Sequence, residues 1–373
     1  MRYENKIEYI KPFNELFYRY CLNNSLFPIL NERGGSCLSF LVNDVPFYNF
    51  AMDRDQVLPR LEVQYNSDLS LERLLELHGI GFHQKSVCDD VVEAIVEDID
   101  EGRPVIVWID CYYEKIRNDT FLKKHLSHTW LIHGYNKIDR VAHIIEHIYR
   151  DSLSYEERTI SLSDLINCYD GYIVLNKQTC GMPRFYECQN ECGYYNTDDY
   201  LLRCGFPKYN NFSNKLDIPS YMSFDISKKD NGHFNGERCL QMYLTNMEKN
   251  FELISHGLLD LSKYVQWLKP ILLSECLLRQ YSEQIVMDIN GIVNAKLADQ
   301  YKNNHLFGPQ SDLYLKVGQI VNLYQTVRSV ITKFTFSQVY DKQKMESLLS
   351  ILTGILEAEC EYYSKFTSLC KLH

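Results

Sequence analysis

The sequence predicts an α+β protein whose first half sets helices against an antiparallel sheet and whose second half is helical. Three observations predict it. A capped, amphipathic stretch over 89–101 runs into the apolar segment Pro104–Asp110, and two more β-type runs, 128–134 and 142–149, follow across a turn-rich connection. From about Arg238 onward, apolar residues recur at helical spacing to near the C-terminus. At 373 residues the chain exceeds the roughly 250–300 that one core serves, so two domains are expected. The composition places them at 1–180 and 236–373, with 181–235 as a linker or cover segment.

Residues 22–31 carry Leu22, Leu26, Phe27 and Leu30 on one helical face directly after Cys21, and Gly34-Gly35 ends that helix. In the next helix Val91, Ala94, Ile95 and Ile99 form the stripe, Asp90 with Glu93 makes a capping box, and Gly102 terminates it. Tyr135 to Arg140 joins two strands as a hairpin connection, and Tyr172–Asn176 reads as one more strand. Periodicity fades between Cys180 and Asn235. Stripes such as Ile254, Leu258, Leu261 and Val317, Ile320, Tyr324 then predict a bundle of four helices.

With 45% hydrophobic and 24% charged residues, the composition is that of a folded globular protein. No apolar run is long enough to cross a bilayer and no secretory signal opens the chain, so a cytoplasmic protein with reduced thiols is expected from its 13 cysteines, and no membrane partner. Nine of the ten net negative charges fall in residues 1–180. Neither half offers the concentrated basic face that nucleic acid requires.

Cys21 stands where a helix begins, and unpaired N–H groups at a helix N-terminus favour a thiolate. A thiolate nucleophile needs a base and a group to orient that base. His128 opens one strand and Asp151 ends the next, so an antiparallel hairpin brings them together. Each has an ordinary alternative: Cys21 as a small buried hydrophobe, Asp151 as a turn residue. Asp110 is the rival acid, able to orient the base, line an acceptor pocket or cap a turn, and Tyr112 beside it is a second candidate for substrate binding. His125, His133, His143 and His147 add a local cluster without carboxylate or thiol at ligand spacing, and no metal is expected there. Cys180, Cys188, Cys192 and Cys204 lack the paired spacing of a zinc site and read as free thiols.

Five segments occur here in the order seen in the butirosin biosynthesis protein H family, which the first 180 residues resemble: Cys21-Leu-Asn-Asn-Ser-Leu-Phe-Pro-Ile-Leu30, Leu77-His-Gly-Ile-Gly-Phe82, Pro104 to Tyr113, Lys124 to Tyr135, and Tyr149-Arg-Asp151. The resemblance implies a papain-like cysteine protease fold, of the bacteriocin-leader-peptidase (C39-like) kind, turned to amide formation in natural-product pathways such as aminoglycoside side chains and the polythioamide closthioamide. It implies Cys21 as nucleophile, His128 as base and Asp151 as third member. It also implies an acyl or peptidyl carrier protein as donor and a small amine or diamine as acceptor; no cofactor is expected. Tyr20 departs from the histidine that many relatives carry there. The glutamine that papain-like enzymes place before the cysteine is missing, and Asn14 is the candidate oxyanion donor in its stead.

Overall fold

The computed structural model describes residues 2–32, 37–51, 59–147, 153–181, 219–226 and 236–370, with side chains in the fourth span described to residue 176. Two compact units share the chain, each built from two stretches: 1–37 with 69–234, and 38–68 with 235–373. After β1 (Glu4–Lys6) and α1 (Cys21–Glu32), the chain enters the second unit for α2 (Leu38–Asn43) and the hairpin of β2 (Asp44–Ala51) and β3 (Arg60–Ser67). It returns to the first unit for α3 (Leu71–Leu77), β4 (Gly81–Lys85), α4 (Val91–Asp100), β5 (Val105–Asp110), β6 (Ser127–Asn136), β7 (Val141–Glu146), β8 (Glu156–Ser161), α5 (Leu162–Gly181) and β9 (Tyr221–Asp225). Five helices close the second unit: α6 (Gly236–Lys249), α7 (Phe251–Leu272), α8 (Glu275–Phe307), α9 (Asp312–Ser337) and α10 (Lys342–Cys370).

The α+β class with a helical C-terminal region is what the structure has. In the first unit the strands run antiparallel in the order β4-β9-β5-β6-β7-β8, with β1 also pairing β6. Its centre is β5, buried at every residue, and β6, buried from His128 to Tyr135. Apolar side chains packed from both strands, Trp108 and Trp130 among them, make this the core. The predicted cap of α4 is present, Asp90 accepting from the Glu93 N–H at 2.9 Å. The predicted β6–β7 hairpin is also present, with Leu131 paired to Ile145 and an irregularity between Ile132 and Gly134. A Cβ at Gly134 would stand 2.9 Å from the Asn5 carbonyl oxygen, so β1 reaches β6 there over bare backbone.

The structure departs from three sequence expectations. Tyr172–Asn176 is not a strand but part of α5, whose first turn is held by Ser161 accepting from the Asp164 N–H at 3.0 Å. Its aromatic and β-branched residues are strand-like locally, and the helix that began ten residues earlier overrides them. The expected linker or cover segment contains β9, a strand that pairs with both β4 and β5. Among the described residues the helical region has five helices rather than four, and residues 38–68 group with them rather than with the first unit.

In the second unit β2 and β3 pair along eight residues each, from Asp44 opposite Ser67 to Ala51 opposite Arg60. Helix α7 lies against β2 so closely that a Cβ at Gly257 would meet the Tyr48 nitrogen at 2.8 Å. A two-stranded hairpin is marginal alone, and α7 supplies the cover it needs.

Candidate active site

Cys21 is the first residue of α1, and the chain before it is shaped to start the helix there. Arg19 adopts a left-handed φ of 53°, and the Tyr20 carbonyl accepts from the Asn23 N–H at 3.1 Å, closing the first turn directly over the thiol residue. Asn24 then clamps the approach: its Oδ1 accepts from Tyr18 N–H at 3.1 Å and its Nδ2 donates to the Leu16 carbonyl at 3.0 Å. One turn beyond Cys21, Ser25 Oγ lies 3.0 Å from Thr129 Oγ1 and so ties α1 to the residue that follows His128. Cys21 itself is half-buried.

His128, on β6, shares a hydrogen bond with the Cys21 sulfur. Its Nε2 lies 2.8 Å from Glu146 Oε2, which leaves Nδ1 as the ring nitrogen for the sulfur. The geometry of the hairpin explains the contact. Ile145 pairs with Leu131, so one further step along the ladder sets Glu146 across from Trp130, two residues from His128, and the imidazole and carboxylate meet as a diagonal pair. Glu146 is completely buried, and its second oxygen accepts from the His147 backbone N–H at 2.8 Å, which fixes the carboxylate plane.

The electrostatics follow. Burial alone would discharge His128, but Glu146 on one side and Cys21 on the other outweigh it and hold the imidazole charged, well above the usual histidine range. Burial likewise pushes the Glu146 carboxyl up, and the His128 charge with hydrogen bonds from His128 and His147 brings it down to about 2. The result is a line of sulfur, imidazolium and carboxylate, half-buried at the sulfur and buried at the other two. Compared with known proteins, the chain matches no family model and no curated protein.

The structure therefore brings Cys21 and His128 together and sets Glu146, which the sequence reading passed over, on the far side of the imidazole. Asp151, expected in that place, lies outside the described residues. Asn14 does not aim its amide at the sulfur: Nδ2 donates to the Tyr155 carbonyl at 2.9 Å and Oδ1 accepts from the Tyr155 N–H at 2.8 Å. It is a clamp on the segment entering β8, where the Tyr155 ring packs 4.6 Å from His147. Asp110 is buried and caps the turn after β5, accepting from the N–H groups of Tyr112 at 3.0 Å and Leu126 at 3.2 Å. Its other oxygen is 2.6 Å from His125 Nδ1, and Tyr112 stacks on that ring at 4.2 Å. Asp110 and Tyr112 both belong to the turn that follows β5.

Of the expected histidine cluster, His133 is held neutral by burial, which lowers it to about 4. Cys188, Cys192 and Cys204 lie outside the described residues, as does the side chain of Cys180. Among the described residues, one group could offer three metal-ligand atoms within 4.8 Å of one another: His128, Glu146 and His147. Two members of that group, His128 and Glu146, are bonded to each other at 2.8 Å. The arrangement suits nucleophilic attack by sulfur, with a proton held ready on the neighbouring ring.

Proposed function

We propose that the first unit is a papain-like cysteine acyltransferase that forms amide bonds, moving an acyl group from a carrier-protein thioester to a small amine in the cytoplasmic synthesis of a peptide-like natural product. The observation that carries the chemistry is the Cys21–His128–Glu146 line, with the sulfur half-buried at the first residue of a helix. A helix-borne cysteine facing a strand-borne histidine oriented by a third polar group is the papain-type solution to sulfur nucleophilicity. The carrier and amine rest on the resemblance of the N-terminal segments.

Cys21 thiolate attacks the thioester carbonyl, and N–H groups at the start of α1 stabilise the oxyanion. The carbon–sulfur bond to the carrier breaks, and the leaving thiolate takes the His128 proton. An amine then attacks the acyl-enzyme, neutral His128 accepts its proton, and the bond to Cys21 breaks to restore the thiolate–imidazolium pair. Throughout, Glu146 keeps the ring in the orientation that presents Nδ1 to sulfur.

Intact-mass measurement after incubation with acyl-loaded carriers tests this. Wild type is expected to gain one acyl mass, Cys21→Ala none, and added amine to discharge the adduct as amide. Absence of an adduct with every carrier in the panel overturns the acyl-enzyme. Free acid as the sole product at high amine concentration makes the enzyme a hydrolase with the same site.

A further inference from the structure

A second acid lies beside the site. Glu114, in the segment after the turn that follows β5, is completely buried. Its Oε1 accepts from the Trp130 indole N–H at 3.1 Å, while Oε2 has no hydrogen-bond partner. Trp130 is the residue of β6 that stands across from Glu146 and two places from His128, so the carboxyl that anchors the indole is anchored to the base's own strand. The groups that face Glu114 come from five elements. They are His128 and Trp130 from β6, Glu146 from β7, Cys111 and Arg117 from its own loop, Cys168 from α5, and Tyr155 from the segment before β8.

We propose that Glu114 is a positioning residue of the Cys21 site, holding Trp130 beside the base and, through its own protonation, setting how far into alkaline pH His128 keeps its proton. This rests on the reading of Cys21 and His128 as nucleophile and base. Uncharged, Glu114 adds nothing to the field around the imidazole. Ionised, it adds a second buried anion to that of Glu146, and the His128 proton is held more firmly. The change falls in the working range: burial and the Glu146 charge raise the Glu114 carboxyl to about 7, against the opposing pull of the His128 and Arg117 charges. An unpartnered oxygen on a buried carboxyl is costly, and a group that serves only to brace an indole would not need it. Glutamine would brace the indole as well, since its carbonyl oxygen accepts in the same place.

The test needs no substrate. Carboxamidomethylation of Cys21 by iodoacetamide is followed from about pH 4 to 10 on the Cys21 peptide, because Cys276 and Cys360 are exposed and will also react. Glu114→Gln keeps the indole acceptor and deletes the charge. Its alkaline step, where His128 loses its proton, is expected about one pH unit lower than in wild type, a tenfold change in that proton's affinity. The acid limb, where Glu114 is uncharged in both proteins, is expected to coincide. Superimposed profiles with a reactive Cys21, even with a changed melting temperature, overturn the role of Glu114 alone. A wild-type Cys21 that reacts at pH 6 no faster than a free thiol overturns the nucleophile–base pair, and this proposal with it.

Discussion

Both units bury charge, but they partner it differently. In the second unit Lys296 is almost completely buried, and its Nζ stands 2.7 Å from Glu359 Oε2, 3.3 Å from the Tyr363 hydroxyl and 3.8 Å from Asp299 Oδ2. The rings of Tyr48, Tyr362 and Tyr363 lie 5.4, 5.5 and 5.0 Å from the same nitrogen, and Glu359 Oε1 accepts from the Tyr48 hydroxyl at 2.5 Å. Burial would discharge Lys296, yet Glu359 and Asp299 keep its proton on and raise it. In the first unit the charges are left short. Glu114 has a bare oxygen, the buried Tyr155 hydroxyl has no partner, and His147 Nδ1 lies 2.7 Å from Glu146 without hydrogen-bond alignment. A pair bonded to saturation has one state and holds a shape, whereas a group left one partner short can change state at small cost.

The sharpest way to break this contrast is to remove a partner from each side. Lys296→Met leaves Glu359 buried and unpaired, and is expected to cost about 3–5 kcal/mol in urea unfolding with the Cys21 alkylation rate unchanged. An equal loss in the alkylation rate would mean that the Lys296 network is no mere scaffold. Next in size, Glu146→Gln removes the anion that charges His128; alkylation of Cys21 at pH 6 is expected to fall about tenfold or more, with a smaller loss of stability than Lys296→Met. If stability falls as far and reactivity stays, Glu146 is structural.

The smallest effect sharpens the contrast from inside the second unit, where Asp288 is one exception. Its carboxyl accepts from the Leu61 N–H at 3.3 Å and from Gln284 at 2.5 Å, but burial dominates and raises it to about 7. The folded protein therefore binds this proton more tightly than the unfolded chain. The group costs nothing below the ordinary carboxylate range near 3.8, and costs progressively more as pH rises from there to about 7. Asp288→Asn is expected to leave stability unchanged at pH 4 and to raise it by about 1–2 kcal/mol at pH 8, read from urea midpoints at the two pH values.

Much of the first unit was legible in the sequence because its signals are local. The α4 cap needs only Asp90 and Glu93, and the β6–β7 hairpin needs two apolar runs and a short connection. The second-unit hairpin was not, since Pro46 sits inside β2 and the partners that make it a strand lie some 200 residues away in α7. Strand β9 shares the difficulty: its pairing with β5 joins residues more than a hundred positions apart. Cys21 and His128, which the structure brings together, were singled out in the sequence, the first from a helix start and the second from a strand start. Glu146 was passed over as one polar letter in an apolar strand, and attention went to the strand's far end at Asp151. The signal was present all the same, for a lone carboxylate next to Ile144 and Ile145 in a buried run has to be partnered.

The chain's excursion through 38–68 has a consequence for how the molecule is made. During synthesis the helix bearing Cys21 leaves the ribosome first, followed by a hairpin whose helices are not translated until after residue 235. The first unit can close its sheet only after β9 has emerged, by which time that hairpin has waited through more than 150 residues of translation. Cutting the chain after 234 would thus not liberate a clean fragment bearing Cys21 and His128. It would leave two eight-residue strands with the buried face of β2 and β3 open to water, an invitation to aggregate. A usable shortened version would have to replace 38–68 with a short polar bridge between Cys37 and Leu69 as well.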